Sequence, residues 1–295
     1  MNRRPENVSL VLGGGGARGH AHIGVIRALE EKNLKVRRIA GTSMGAVIGG
    51  IYAASELDTY VRWVTQLRKS DVVRLLDFSF SKTSLFKGER IIEVLKDLIG
   101  DRQIENLPVG FTAVATAIEE QREVWLNKGS LFNAINASFA VPGVFSPVTI
   151  DGRLLVDGGL VNPIPIAPTL NDATDITIAV NLSGTTEHYR PVEKDSALRP
   201  VKEDEGYRAA IGRFVSSLLE NQTDSGGPPG AVDLLLQSFE VMQGSIARLK
   251  LAAYAPDIVV DVPRDCCSFF EFHRAMEMMD LGYRNAIIAL ENAEL

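Results

Sequence analysis

Two short stretches of this sequence contain residues that could act together in acyl transfer. Residues 41–45 read Gly-Thr-Ser-Met-Gly and fit the pattern G-x-S-x-G, which places a serine on a sharp turn between a strand and a helix and exposes its hydroxyl for nucleophilic attack. In "LLVDGG", Asp157 ends a short apolar run, and the glycines that follow allow a turn that exposes its carboxylate. A serine nucleophile needs a base to take its proton, so Ser43 and Asp157 are predicted to serve as nucleophile and base. The alternative for Asp157 is an Asx turn in a hairpin.

A third stretch, "VLGGGGARGH", runs from apolar residues into consecutive glycines. Gly14, Gly16 and Gly19 fit G-x-G-x-x-G between a predicted strand and helix, the setting of a dinucleotide-binding loop. Such a loop also needs an acidic residue at the end of the second strand, where this chain has Ala40, and a P-loop needs Lys and Ser or Thr after the last glycine, where it has His-Ala. We therefore interpret the loop N–H groups as donors to the oxyanion of an ester under attack. Nucleotide binding remains the alternative.

The chain has four histidines that could compete with Asp157 as the base. His20 and His22 fall at the start of the first predicted helix and are interpreted as packing or capping residues, and His188 lies in a polar segment. His273 is the main rival, because Ser43, Asp157 and His273 would follow the Ser, Asp, His chain order of α/β-hydrolases. It falls on a predicted amphipathic helix, away from the loops, so we favour Asp157 acting alone.

These loops are placed by strand–turn–helix units. Val8–Leu12 reads as a buried strand and Ala21–Glu31 as a helix, and a second strand ending near Ile39–Ala40 leads through the serine turn into a small-residue helix. Repetition of this unit predicts an α/β fold with a mostly parallel central sheet and helices on both faces. Further strands are predicted at Val109–Ala117, Arg122–Leu126, Ile176–Leu182 and "PDIVVDVP", and further helices at Glu56–Arg68, Lys87–Ile99, Leu131–Ser138, Val232–Tyr254 and Glu271–Ala293.

The chain is predicted to form a single domain over residues 1–295. Its core spans residues 8–182, a polar and densely charged excursion follows at about 183–231 with a helix at Tyr207–Glu220, and helices and a strand complete the domain at 232–295. The excursion is one candidate for a gate over the site. "LLDFSFSKTSLFKGER", with Phe78, Phe80 and Phe86, is the other candidate, although we interpret it as a loop pinned to the core.

Composition narrows the possible partners. The 295 residues carry a net charge of −6 without long basic runs, which argues against nucleic-acid binding. The two cysteines, Cys266 and Cys267, are neighbours, so they predict neither a disulfide framework nor a metal site. We expect a cytoplasmic protein with no metal and with at most peripheral contact with the inner membrane surface, because no apolar run approaches the ~20 residues of a membrane span. The oligomeric state cannot be read from the sequence.

Taken together, the motifs resemble those of the patatin-like phospholipases, specifically short bacterial members of that family. The matching residues are Gly14, Gly15, Gly16, Arg18 and Gly19 for Gly-Gly-Gly-x-Arg/Lys-Gly; Gly41, Ser43 and Gly45 for G-x-S-x-G; Ser138, Ala140, Pro142 and Gly143 for a proline-containing block; and Asp157, Gly158 and Gly159 for D-G-A/G, followed by Asn162–Pro163. The resemblance is good over residues 8–182 and weakens across 183–255.

The resemblance implies a three-layer α/β/α fold and a lipid acyl hydrolase that needs no cofactor. It also implies that Ser43 is the nucleophile, that Asp157 is the base without a histidine, and that the backbone from Gly14 to Arg18 forms the oxyanion hole. Substrates in the family include phospholipids, lysophospholipids, neutral lipids and other esters. A non-enzymatic regulator on a hydrolase fold is a further alternative.

Overall fold

The computed structural model describes residues 5–76, 84–185 and 231–295. The predicted helix Tyr207–Glu220, nearly all of the predicted polar excursion, and Phe78 and Phe80 lie outside these residues. In the described part of the chain, no helix is both long enough and apolar enough to span a membrane.

The described strands are β1 Asn7–Leu12, β2 Lys35–Thr42, β3 Ser84–Phe86, β4 Gly110–Ala117, β5 Arg122–Leu126, β6 Gly143–Phe145, β7 Val148–Ile150, β8 Arg153–Asp157, β9 Ile176–Gly184 and β10 Ile258–Pro263. Eight of them form one sheet in the order β10, β9, β1, β2, β4, β8, β7, with β5 also paired to β4. The run from β10 to β4 is parallel, whereas β5, β7 and β8 pair in antiparallel fashion. The mostly parallel sheet is therefore confirmed.

The described helices are α1 Ala21–Glu31, α2 Met44–Ala53, α3 Leu57–Val64, α4 Lys69–Leu75, α5 Glu89–Ile99, α6 Leu131–Phe139, α7 Ala231–Tyr254 and α8 Ala275–Asn292. Short 3₁₀ turns at Gly16–His20, Gly158–Leu160 and Phe272–Arg274 connect several elements. The final helix begins at Ala275 rather than at Glu271, because the chain first makes one of these tighter turns.

The sheet is covered by helices on both faces, because alternate strand residues point to opposite sides. Leu10 and Leu12 of β1 belong to the main core with α1, α2 and α8. Val11, between them, belongs to a second cluster with Ala179 of β9 and Ala247 of α7. The predicted three-layer arrangement is confirmed.

Strand β4 brings the ends of two other strands together. One edge of β4 pairs with two strands in turn. It pairs with parallel β2 as far as Val114, which lies opposite Thr42, and then with antiparallel β8 from Ala115, which lies opposite Asp157. The other edge of β4 is taken by β5. Because Thr42 and Asp157 occupy successive positions along β4, the residue after β2, Ser43, meets the end of β8.

Candidate active site

Ser43 lies on a strained turn between β2 and α2. Its backbone has φ 56° and ψ −125°, a region that non-glycine residues rarely adopt. The neighbouring glycines leave room for this turn: a methyl group on Gly41 would overlap the Gly45 backbone, and one on Gly45 would overlap the Leu12 carbonyl. The G-x-S-x-G pattern is thus a steric requirement of the turn.

The turn is anchored to α6 and β4 by hydrogen bonds of Ser138. The Ser43 N–H donates to Ser138 Oγ at 3.0 Å, and the Ser138 hydroxyl donates to the Val114 carbonyl at 2.6 Å. Helix α2 begins at Met44, so the positive end of its dipole lies beside Ser43 and favours negative charge there.

The Asp157 carboxyl is fully buried next to Ser43. Its Oδ1 accepts a hydrogen bond from the Gly159 N–H at 2.6 Å. Its Oδ2 is also buried, but it has no hydrogen-bond partner among the described residues. Burial raises the pKa of Asp157 from 3.8 to about 7, against smaller lowering effects of hydrogen bonding by the Ser43 hydroxyl and the Gly159 N–H. Oδ2 is therefore the carboxyl oxygen that has no hydrogen-bond partner among the described residues.

The main chain around Asp157 is held on several sides. Its N–H donates to the Ala140 carbonyl at 2.9 Å, and its carbonyl accepts from the Thr116 hydroxyl at 3.0 Å. A methyl group on Gly158 would overlap the Val114 carbonyl, so this turn also requires glycine. The carboxyl is therefore fixed in place before any ligand binds.

The two histidines at the start of α1 support the glycine loop. His22 Nε2–H donates to the Gly13 carbonyl at 2.8 Å, and His20 Nδ1–H donates to the Ala17 carbonyl at 3.0 Å. Burial lowers the pKa of each to about 4, so both are neutral near pH 7. Their packing role agrees with the sequence interpretation.

His273 is not brought to the Asp157 carboxyl. It is half-buried in the 3₁₀ turn before α8, and burial followed by the charge of Lys69 lowers its pKa. The other charges that act on it come from Glu271, Arg274 and Glu277. Among the described residues, the hydrogen bonds that act on the Asp157 pKa come from Ser43 and Gly159 and from no histidine.

The glycine loop differs in part from the prediction. The Gly14 N–H already donates to the Pro163 carbonyl at 2.9 Å, and the Ala17 N–H donates to the Phe269 carbonyl at 2.9 Å. Gly14 is therefore not a free donor for an oxyanion in this conformation. The N–H groups of Gly15 and Gly16 have no acceptor within the described ranges, and Gly16 lines the same cavity as Ser43.

The prediction for Arg18 concerned its backbone as part of the oxyanion hole, and its side chain braces the glycine loop. The buried guanidinium donates to the carbonyls of Arg264 and Cys267 at 2.8 and 3.2 Å, and to Glu240 at 2.7 Å. Gly19 has a packing role, because a methyl group there would overlap the Met44 side chain. Gly15 and Gly16 thus keep backbone N–H groups without an acceptor among the described residues.

An apolar cavity opens at Ser43 and extends into the main core. Its internal volume is about 90 Å³, and its mouth is open to solvent. Its lining includes Val47, Val64, Leu67, Leu95, Phe139 and Phe145. Phe86 of β3 is 1% exposed, which confirms the core interpretation for that part of its segment.

One polar residue beside the site was missed in the sequence. Gln243 of α7 is 4% exposed, and its amide lies against both Gly14 and Gly159. Residues near Gln243 form no recognisable motif, so only the packing of α7 across the sheet identifies it.

Comparisons with known proteins agree with this geometry. Residues 10–170 match the family model described as patatin-like phospholipase. An NTE family protein of Mycobacterium tuberculosis is 38% identical over 332 aligned residues, which cover 98% of this chain and 92% of that protein. Patatin-like phospholipase domain-containing protein 6 of Homo sapiens is 36% identical over 190 residues, 62% of this chain but 14% of that protein.

The fold is also similar to a solved structure. The crystal structure of VipD from Legionella pneumophila superposes with a TM-score of 0.50 at 14% identity, covering 98% of this chain and 67% of that one. At this identity the likeness concerns the fold alone. The family model spans the glycine loop, the serine turn and the aspartate turn, which are the parts that meet at the end of β2. The chain therefore belongs to the patatin-like phospholipase family.

Proposed function

We propose that this protein is a serine hydrolase that cleaves carboxylic esters of lipids, with Ser43 as nucleophile and Asp157 as base. The observation that carries the proposal is the position of a strained serine beside a buried, partly unpartnered carboxyl at the mouth of an apolar cavity. An ester with an apolar acyl group suits this arrangement, because that group can leave water while the carbonyl stays at Ser43.

In the first half of the reaction, Ser43 Oγ attacks the ester carbonyl carbon as its proton moves to Asp157 Oδ2. The carbonyl oxygen becomes an oxyanion, which the N–H groups of Gly15 and Gly16 and the start of α2 stabilise. The tetrahedral intermediate then collapses, and the alcohol leaves with the proton held by Asp157. The acyl group remains on Ser43 as an ester.

In the second half, a water molecule replaces the alcohol. The water oxygen attacks the acyl carbon while Asp157 accepts a proton from that water molecule. Asp157 then gives this proton to Ser43 Oγ as the fatty acid is released. One carboxyl can serve both steps because its pKa is raised to about 7, close to the range in which a general base is effective.

The described residues do not favour the other interpretations. The N–H of Gly13, the first residue after β1, donates to a backbone carbonyl of the protein and is not available to a phosphate. The adjoining cavity is apolar, which does not suit a nucleotide. The cytoplasmic location and peripheral membrane contact remain predictions, as does the oligomeric state.

The test combines a reactive probe with an ester panel. A fluorophosphonate should label the wild type at Ser43, identified by peptide mass spectrometry, and should not label Ser43→Ala. Hydrolysis of long-chain esters should disappear in Ser43→Ala and fall about 10²–10⁴-fold in Asp157→Asn, while His273→Ala keeps its activity.

Two outcomes would contradict the proposal. Activity that survives Asp157→Asn but is lost in His273→Ala would favour a serine–aspartate–histidine triad. An unlabelled Ser43 together with no turnover of any ester would favour a non-enzymatic regulator.

A further inference from the structure

Gln243 is a buried side chain whose amide makes no hydrogen bond with any residue that the structure describes. It is 4% exposed on α7, which packs against β9 and the 3₁₀ turn Gly158–Leu160. A side chain that is nine-tenths buried beside the candidate site and makes no hydrogen bond with the described residues is free to bond a ligand there.

The amide lies between the two loops that carry the candidate site. A methyl group on Gly159 would overlap Gln243 Nε2 and would lie 3.0 Å from Asp157 Oδ1. A methyl group on Gly14 would lie 3.5 Å from the same nitrogen and 3.3 Å from Ser43 Cβ. The Gln243 amide therefore lies directly beside the nucleophile and the base.

The position of Gln243 bears on which half of an ester, the acyl half or the alcohol half, could contact it. The apolar cavity at Ser43 is lined by residues such as Met44, Val47 and Phe139, and Gln243 is not part of its lining. If the acyl chain enters that cavity, the alcohol half of the ester is directed toward Gln243. An amide can donate to one oxygen of the alcohol and accept from another.

We propose that the Gln243 amide binds the alcohol half of the ester through hydrogen bonds, and that it selects alcohols with an oxygen next to the ester, as in glycerol, over simple alkyl alcohols. This inference rests on the proposed function. A site that hydrogen-bonds a substrate hydroxyl discriminates against an analogue without it, because its own polar group is then left unpaired.

The test compares two esters of one fatty acid, a 1-monoacylglycerol and the matching ethyl ester, for the wild type and three variants. Gln243→Met keeps the length and approximate volume of the side chain and removes its hydrogen bonds. Gln243→Asn keeps the amide but shortens its reach. Gln237→Met, at an exposed position of the same helix, is the matched control.

In Gln243→Met, kcat/KM for the monoacylglycerol should fall about tenfold, with less than about a threefold change for the ethyl ester. Gln243→Asn should give an intermediate preference, and Gln237→Met should match the wild type. The acid limb of the pH profile should keep its midpoint in each variant. Thermal unfolding of each variant shows whether the fold is retained.

An equal loss on both esters, or a displaced acid limb, would show that Gln243 acts through Asp157 and would overturn the inference while leaving the proposed function intact. An unchanged preference in folded Gln243→Met would also overturn it. Absence of turnover by the wild type on both esters, together with an unlabelled Ser43, would refute the proposed function and this inference together.

Discussion

Replacement of Asp157 by Asn should separate the stability of this protein from its activity. Burial raises the pKa of the carboxyl from 3.8 to about 7. Between those two values the folded chain holds a proton that the unfolded chain has released, so the free energy of unfolding falls as the pH rises. The shift of about three units corresponds to about 4 kcal/mol, all of it lost above pH 7.

Asn cannot ionise and retains an oxygen that can accept from the Gly159 N–H, as Asp157 Oδ1 does at 2.6 Å. Asp157→Asn should therefore be the more stable protein above pH 7. Relative to the variant, the wild type should lose about 3 kcal/mol between pH 5 and pH 8.

The wild type must be compared with Asp157→Asn rather than measured alone, because two buried histidines change the free energy of unfolding with pH in the opposite direction. Burial lowers the pKa of His20 and His22 from 6.5 to about 4. Between those values the unfolded chain binds protons that the folded chain does not, so their contribution to stability is lost as the pH falls. Both proteins contain these histidines, and their effect cancels in the difference.

The assay is urea unfolding of the wild type and Asp157→Asn at half-unit steps from pH 5 to pH 8, followed by circular dichroism. Asp151→Asn, at an exposed position of the turn before β8, is the control and should follow the wild type. A difference between wild type and Asp157→Asn that does not change with pH, or that changes in the opposite direction, would refute the argument that the carboxyl is desolvated.

Activity should depend on the same group with the opposite sign. Only the ionised carboxyl can accept the Ser43 proton, so kcat/KM of the wild type should rise about tenfold per unit below pH 7 and level off above it. An acid limb near pH 4 would mean that Asp157 is solvated in the working enzyme.

The remaining predictions concern the serine turn and the cavity. Ser43→Gly should abolish ester hydrolysis yet raise the free energy of unfolding by about 1 kcal/mol, because glycine adopts φ 56° without strain; urea unfolding measures this, and a loss of stability would contradict it. Ser138→Ala leaves the buried Ser43 N–H without its acceptor, so it should cost about 1–3 kcal/mol of stability and lower kcat more than it raises KM. Leu67→Trp narrows the cavity at a half-buried lining position. It should reduce kcat/KM for a palmitoyl ester about tenfold or more, and it should affect a butyryl ester of the same alcohol less. An equal loss on the butyryl ester would show a general defect instead.

The order of strands and helices follows from local sequence. Apolar runs such as Val8–Leu12 and the helical spacing of Ala21–Glu31 depend on neighbouring residues, and the structure has both elements at nearly those bounds. The glycines at 41 and 45 were also predictable, because backbone groups within the same turn and the adjacent strand leave no room for a side chain. Short-range sterics account for Gly41, which meets the Gly45 backbone, whereas Gly45 meets the Leu12 carbonyl of β1, a contact between distant segments.

Other properties depend on contacts between distant segments. The sequence pattern predicts that β2 ends near Ala40. In the structure, pairing with β4 extends β2 to Thr42 and brings its end next to the end of β8. The Gly14 N–H, which the sequence predicts as an oxyanion donor, instead donates to the carbonyl of Pro163, a residue on another loop.

The pKa of Asp157 is raised by burial beneath several elements, and Gln243 reaches the site only because α7 crosses the sheet. Residue types and their order thus determined which chemistry this chain could support. The tertiary structure alone decided which groups are desolvated, which donors are already occupied and which side chains meet at Ser43, because desolvation and hydrogen bonding depend on all neighbours in space and not on neighbours along the chain.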